Sequence, residues 1–362
     1  MEYLNTPAVH VDLDTVERNI ANTLSGLKAN NIAHRPHIKV HKSVYLAKKQ
    51  LSMGCQGITC AKLGEVEVMA DGGIDDILLA FPLLGDDKLA RYRALAERNI
   101  TLRTIINSRE GAKGLSDLGM AMGKRLPVLI ELDGGINRGG LKLGRPLAEF
   151  AAMAAGLPGI VIEGVEYYGG DIYALKTAAE IRARSQQEAD DVRQGAAILR
   201  EAGLEPNILS AGSSFSARFP AELSGLTEAR AGNYIFNDGA QLSIGMITPA
   251  DCALRVVSTV VARPDSESAI IDAGSKTLTS DRAGGWDSYG YVVEDPDIEI
   301  YKLNEEHGFL RSRKGIRFEI GERVSIIPNH SCVVPNLADE IYGMRGGKLD
   351  VVIKVDARGK NR

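Results

Sequence analysis

Between about residue 32 and residue 235 the chain repeats one unit, a short β-branched apolar run followed by an amphipathic helical stretch with polar or glycine punctuation. This rhythm constrains the fold more than any single motif, because alternating strand and helix patterns call for parallel strands joined by crossovers. The strand candidates are Ile32–Val40, Gly57–Ala61, Asp76–Phe81, Thr101–Ile106, Pro127–Leu132, Val161–Tyr168, Asn207–Ala211 and Thr227–Ala231. Helical stretches such as Ser43–Leu51, Asp87–Asn99 and Ala178–Glu201 lie between them. Eight parallel strands with eight crossovers in roughly 200 residues is what a (β/α)8 barrel requires, whereas a doubly wound open sheet usually stops sooner.

One further strand, Ala8–Asp12, precedes the array and leads into a helix with Asp14 as the candidate N-cap and Val16, Ile20, Leu24 and Leu27 at helical spacing. After about residue 240 the texture changes to short alternating runs between Gly, Asp and Asn turns: Ala253–Ala262, Ser268–Asp272, Asp297–Leu303, Phe309–Leu310, Val324–Pro328, Glu340–Met344 and Lys348–Lys354. That pattern is antiparallel β. The expected organisation is therefore α/β, a (β/α)8 TIM-type barrel over residues 8–238 followed by a mostly antiparallel β domain over 239–362, to which residues 1–7 are added.

Composition excludes several functions. In 362 residues, 43 Lys and Arg stand against 47 Asp and Glu, without a long basic run, so nucleic acid is not an expected partner. The opening Met1-Glu2-Tyr3-Leu4 lacks a signal peptide's basic and apolar regions, and no window is apolar for the roughly 18 residues of a membrane span. Cys55, Cys60, Cys252 and Cys332 make no CxxC pair or disulfide framework, as in a reducing compartment. A cytoplasmic protein is expected.

The first array strand ends Arg35-Pro36-His37-Ile38-Lys39-Val40-His41-Lys42. Strand alternation puts Ile38 and Val40 on one face and His37, Lys39 and His41 on the other. The apolar face packs on helices, which sends the basic trio inward at the strand's C-terminal end, where barrel enzymes keep their active sites. A solvated strand end with incidental cations is the other reading. A lysine confined near other cations and away from water loses its proton more readily, as Schiff-base chemistry requires.

Two loops, Ser210-Ala211-Gly212-Ser213-Ser214 and Arg230-Ala231-Gly232-Asn233-Tyr234, follow the seventh and eighth strand candidates. They are either phosphate-holding backbone or ordinary Gly/Ser turns. Arg138 lies in a Gly-rich loop beyond the fifth strand, and Tyr168 ends the sixth as a cofactor neighbour or a core aromatic. In Pro328-Asn329-His330-Ser331-Cys332, residues two apart on an extended segment point the same way, so imidazole and thiolate can converge on one ion and select Zn2+ over Mg2+ or Ca2+. Taken alone, HxC is a weak signal, because cysteine is often an apolar filler. Glu306-His307 belongs to the same pocket or to a structural turn. Cys55, Cys60 and Cys252 are read as core residues, and His10 and His34 as structural.

The run RPHIKVHK resembles the cofactor-lysine motif of the D-threonine aldolase / D-serine dehydratase family, relatives of alanine racemase among the fold-type III pyridoxal 5'-phosphate (PLP) enzymes. Thr6-Pro7-Ala8, Asp12-Leu13-Asp14, Glu131-Leu132-Asp133 with Arg138-Gly139-Gly140, Asp272-Ala273-Gly274-Ser275-Lys276 and Glu306-His307-Gly308 look like further landmarks, so the resemblance covers essentially the whole chain. It implies Lys39 as the Schiff-base residue, Arg138 against the PLP ring, and a phosphate grip at Gly212, Ser213, Gly232 and Tyr234. Tyr168 aligns with the tyrosine of the family's Tyr-His-Gly pattern, although Gly169 stands where many relatives carry histidine. His330 and Cys332 are implied as the metal pair, completed by water or substrate, and a homodimer whose β domain completes the partner's barrel mouth is implied as well.

The expected activity is that of a PLP-dependent, metal-assisted lyase acting on D-β-hydroxy amino acids. Dehydration to a 2-oxo acid and ammonia would use Lys39 as the base for the α-proton. Retro-aldol cleavage to glycine and an aldehyde is the alternative, with His307 or His41 beside the hydroxyl. Cys332 in place of aspartate resembles the dehydratase branch. A racemase, a non-catalytic PLP carrier and a metal-dependent barrel hydrolase are weaker readings; a carrier would lack the β domain, and a racemase would need a catalytic tyrosine and no metal.

Overall fold

The computed structural model describes residues 4–283 and 285–362. The chain divides into two compact units: a barrel unit of Thr23–Lys39, Leu46–Gly232 and Lys360–Arg362, and a β unit of the N-terminal segment through Asn22, Val40–Tyr45 and Asn233–Gly359. The chain opens with β1 (Ala8–Asp12). Eight strands follow in the barrel unit: β2 (Ala33–His34), β3 (Ile58–Cys60), β4 (Asp76–Leu79), β5 (Thr101–Ile106), β6 (Leu126–Leu132), β7 (Ile160–Tyr167), β8 (Ile208–Ala211) and β9 (Glu228–Ala229). They pair in parallel in the order β2-β9-β8-β7-β6-β5-β4-β3. The ring closes where Gln56 N donates to His34 O at 2.9 Å and Thr59 N to Pro36 O at 2.8 Å. The eight expected strands are all present.

The crossover helices bury one face each. Ala178–Glu201 starts at a capping box, in which Thr177 Oγ1 accepts from Glu180 N at 3.2 Å and Glu180 Oε2 from Thr177 N at 2.9 Å. It then buries Ile181, Ala189, Val192, Ala196 and Leu199. The barrel's lumen carries charge as well as apolar packing. Arg35, 1% exposed, donates to Glu228 Oε2 at 2.9 Å and Asp76 Oδ1 at 2.7 Å, while Arg103 reaches Asp76 at 3.2 Å and Glu163 at 2.6 Å. Arg103 lies on β5 and Glu163 on β7, with β6 between them, so the pair joins non-adjacent strands on one face of the sheet. The two buried charges, Arg35 and Glu228, are sustained by this mutual pairing.

The strand expected over Ile32–Val40 is shorter. β2 ends at His34, Pro36 has no N–H to continue a ladder, and Ile38–Val40 forms a 3-10 turn. At three residues per turn, positions two apart do not share a face. His41 is accordingly buried, whereas His37 and Lys39 are half-buried, and the inward basic trio on one strand face is not observed.

In the β unit follow β10 (Leu254–Ala262), β11 (Ser268–Ile271), β12 (Gly290–Val292), β13 (Glu299–Leu303), β14 (Gly308–Arg311), β15 (Arg323–Pro328), β16 (Glu340–Arg345) and β17 (Lys348–Lys354). Six of them run β11-β14-β13-β12-β15-β10 and close through a β10–β11 pairing, while β1, β16 and β17 extend the sheet from β10. All pairings are antiparallel except β1–β16. β12 was not expected; it has only three residues. β1, expected with the barrel, is hydrogen-bonded between β10 and β16 because its alternating apolar residues find edge partners there. Of residues 1–7, Met1–Tyr3 lie outside the described residues, and Thr6 Oγ1 donates to Asp272 Oδ2 at 2.6 Å within the β unit. The helix after β1, Leu13–Ala29, is capped by Asp12, whose Oδ1 accepts from Thr15 N at 2.7 Å, and not by Asp14, which sits in the first turn. Among the described residues no helix is long and apolar enough to cross a membrane.

Candidate active site

Strand ends bring three expected residues of the barrel unit together. Lys39 follows β2, Arg138 follows β6 and Tyr168 follows β7. The Lys39 Nζ lies 5.7 Å from the Tyr168 ring centroid, and the Arg138 guanidinium carbon lies 4.5 Å from the same centroid. Both cations therefore sit against one half-buried ring. The Arg138 loop is built by Asp133, whose Oδ1 accepts from Gly135 N at 3.1 Å and Asn137 N at 3.2 Å, and it returns to the strand through Leu141 N to Glu131 O at 2.8 Å. Gly169 follows the ring directly, so no imidazole is offered there.

The loop after β8 departs from expectation in one respect. Gly212 N donates to Glu188 Oε1 at 3.0 Å and Ser213 N to Ser216 Oγ at 2.7 Å, so these two N–H groups are engaged within the protein. Close backbone approach is what the glycines provide. A Cβ at Gly212, where φ is +88°, would lie 2.9 Å from Ala229 Cβ, and one at Gly232 would lie 2.8 Å from His37 O. Glu188, from the helix Ala178–Glu201, is fully buried, and burial raises its pKa.

Sequence reading missed a charge cluster beside this loop. Arg230 donates to Ser210 Oγ at 2.6 Å, to Tyr167 O at 2.8 Å and to Glu166 Oε1, while Ser210 Oγ donates to Glu228 Oε1 at 2.6 Å. Glu131 and Glu166 are register partners on β6 and β7. Burial and then the neighbouring Glu166 push the Glu131 carboxyl up to about 7, against the Asn107 hydrogen bond of 2.6 Å and the charges of Arg138 and Arg230. Glu166 Oε2 is buried and, among the described residues, has no hydrogen-bond partner.

In the β unit, β15 delivers His330 and Cys332. Asn329, 1% exposed, fixes the segment by donating to Ser288 O at 2.7 Å and Asp281 O at 3.0 Å and accepting from Trp286 Nε1 at 2.7 Å. His330 Nδ1 faces Asp238 Oδ2 at 3.1 Å, and the ring is also hydrogen-bonded to Cys332. The Cys332 charge, then Asp238, push the imidazole up to about 11 against burial. Tyr234 is buried in the 3-10 turn Asn233–Ile235 of the same unit. His41 packs edge-on against Phe236, 6.5 Å between centroids, and its Nδ1 accepts from Ser43 N at 3.1 Å, which makes it a buried turn residue. His307 is exposed at the β13–β14 hairpin. That hairpin meets the Gly274-Ser275-Lys276 segment through Ser275 N to Asn304 O at 2.8 Å and Lys276 Nζ to Glu306 Oε1 at 2.7 Å, so two sequence landmarks share one place. His34, held neutral by burial with its pKa lowered to about 4, bonds Ala231 O and Cys55, whereas the buried His10 Nε2 has no partner among the described residues.

These residues fit both groups. A half-buried lysine and an arginine against the same ring suit a phosphorylated aromatic aldehyde, the lysine by its amine and the arginine by its fixed charge. Imidazole and thiolate side by side suit a zinc-like ion, and among the described residues no group of three or more His, Cys, Asp or Glu is placed to hold a metal.

Comparison with known proteins agrees with the fold. The family model described as alanine racemase, N-terminal domain, matches residues 11–239, and the putative serine dehydratase domain matches 253–344. D-threo-3-hydroxyaspartate dehydratase of Delftia sp. (strain HT23) is 33% identical, with 91% of each chain covered. Its solved structure superimposes with a TM-score of 0.91 at 31% identity over 97% of both chains. Solved variants of that enzyme replace a histidine and, two positions on, a cysteine, the latter in a metal-free form. D-threonine aldolase from Arthrobacter sp. is 29% identical over 99% of this chain and 94% of its own, and the structure of D-threonine aldolase from Filomicrobium marinum matches with a TM-score of 0.90 at 30% identity, covering 99% and 96%. With identity of this level running through both units, the chain belongs to the alanine racemase-like family of D-threonine aldolases and D-serine dehydratases, enzymes that use pyridoxal 5'-phosphate.

Proposed function

We propose that the protein is a PLP-dependent, metal-assisted lyase that dehydrates a D-β-hydroxy amino acid to a 2-oxo acid and ammonia. The observation that carries this reading is the His330/Cys332 pair, imidazole and thiolate hydrogen-bonded on the strand-end segment of a PLP-family chain. The name of the Delftia relative and the histidine and cysteine replaced in its solved variants, two positions apart as here, support it.

When bound, PLP supplies an electron sink for charge developing at the substrate's Cα, and a divalent metal supplies Lewis-acid polarisation of the β-hydroxyl. Lys39 would hold the cofactor's aldehyde through its Nζ and would serve as the base for the α-proton. Arg138 holds a fixed positive charge against Tyr168, where it orients the ring and substrate. Gly212, Ser213, Gly232 and Tyr234 are the proposed phosphate residues, as the family resemblance implies. His330 and Cys332 hold the metal. Removing the α-proton and the β-hydroxyl as water, then hydrolysing the product imine, gives 2-oxo acid and ammonia without an oxidant.

Retro-aldol cleavage is the second reading, favoured by aldolase relatives that match 99% of the chain. It requires a base at the hydroxyl, and the exposed His307 is the candidate, since His41 is enclosed. A homodimer, as in the family, and a cytoplasmic location belong to the same reading. Product analysis with D-threonine on protein reconstituted with PLP and Zn2+ tests it: 2-oxobutyrate and ammonia are expected, lost on chelation, whereas glycine and acetaldehyde would establish cleavage instead.

A further inference from the structure

Asp238 is fully buried and accepts four hydrogen bonds. Its Oδ1 takes Ala240 N at 3.1 Å, and its Oδ2 takes Ser331 N at 3.0 Å, Asn233 Nδ2 at 2.5 Å and His330 Nδ1 at 3.1 Å. A carboxylate on Nδ1 holds a proton on that nitrogen, so a metal ion that displaces the other proton would take Nε2. The same Asn233 side chain accepts from Ser331 Oγ, so it grips both the carboxylate behind His330 and the residue between His330 and Cys332. Asn233 also opens the 3-10 turn that carries Tyr234, a phosphate candidate. One amide thus ties the turn to the metal pair by two bonds.

We infer that Asp238 and Asn233 are positioning residues that join the Tyr234 turn to His330 and Cys332, so that PLP and the metal ion bind cooperatively. The inference rests on the metal and phosphate assignments proposed above and adds their coupling. A turn held in place by a bound phosphate fixes Asn233, Asn233 fixes Asp238 and Ser331, and these set the ring and the turn after β15 on which Cys332 stands. Linkage makes the effect reciprocal: whatever PLP adds to zinc affinity, zinc adds to PLP affinity.

The test is Zn2+ affinity, by competition with a chromophoric chelator, on PLP-loaded and PLP-stripped full-length protein. Wild type is expected to bind Zn2+ at least about fivefold more tightly when loaded. Asp238→Asn is expected to lose about 10- to 100-fold in Zn2+ affinity while keeping the PLP absorbance band. Asn233→Ala is expected to abolish the difference between loaded and stripped protein. Should Asp238→Asn fail to fold, Ser331→Ala, which removes only the hydroxyl given to Asn233, is expected to shrink that difference, and the d–d bands of its Co2+ form are expected to shift. Wild-type affinity in Asp238→Asn, or equal affinity with and without PLP in wild type, would overturn the inference. Cys332→Ala separates the two failures: if it loses Zn2+ and Asp238→Asn does not, only the coupling falls, whereas if Cys332→Ala binds as wild type, the metal assignment falls and the coupling with it.

Discussion

The two units assemble their functional residues by opposite means. In the barrel unit the candidate residues come from loops after four different strands, with Lys39 after β2, Arg138 after β6, Tyr168 after β7 and Gly212 after β8, and the first three meet at the Tyr168 ring. Fixed charges hold that interior in place, from Asp76 and Arg35 through Glu228 and Ser210 to Arg230 and Glu166. In the β unit the candidate metal pair is local, two residues apart, and one buried carboxylate with one amide supports it. A site built by convergence is buffered by many partners, while a local site supported by few is exposed to single changes.

The largest expected effect lies in the barrel's charge chain. Arg35→Ala leaves Glu228 and Asp76 without their buried partner and is expected to cost about 3–5 kcal/mol, read as a lower denaturation midpoint. A loss below 1 kcal/mol would mean that the lumen relaxes and that charge does not fill it. Glu131 gives a smaller effect of opposite sign. Its pKa of about 7 lies above the ordinary 4.5, so the folded protein binds this proton more tightly than the unfolded chain. The penalty on folding is therefore absent below about pH 4.5 and complete above about pH 7, and stability falls as pH rises between the two. Glu131→Gln is expected to flatten that slope and to add on the order of 1–3 kcal/mol above pH 7, checked by thermal melts at pH 5 and 8. An unchanged slope would show that Glu131 does not carry the proton. The smallest effect belongs to a helix end: Thr177→Ala removes half of the capping box on Ala178–Glu201 and is expected to cost about 1 kcal/mol, while activity stays within twofold.

The same contrast explains what could be read from sequence. Strand and helix periodicity located the eight barrel strands and the helix Ala178–Glu201, because half-buried elements repeat their apolar spacing. Alternation misled at His37, Lys39 and His41, where polar and apolar residues alternate without a strand: the segment turns after Pro36. The three-residue β12 carries too little pattern to register. Lys39, Arg138 and Tyr168 were legible through motifs, and the structure brings them together. Glu131 and Glu166 pair only through strand register, Glu188 resembles any charged position on a long helix, and Asp238 lies 92 residues from His330 in no motif at all. Register and long-range burial, unlike periodicity, leave no local trace in a chain.

The central claim is that Lys39 holds the cofactor and that the His330/Cys332 pair holds the metal. Its most direct test is the PLP absorbance band and the bound zinc measured together on Lys39→Ala and Cys332→Ala. The account predicts that Lys39→Ala loses the lysine-linked PLP band yet still carries zinc, and that Cys332→Ala loses zinc and turnover yet retains the band. A fully active Lys39→Ala, or a Cys332→Ala protein with wild-type zinc and chelator-sensitive turnover, would contradict it.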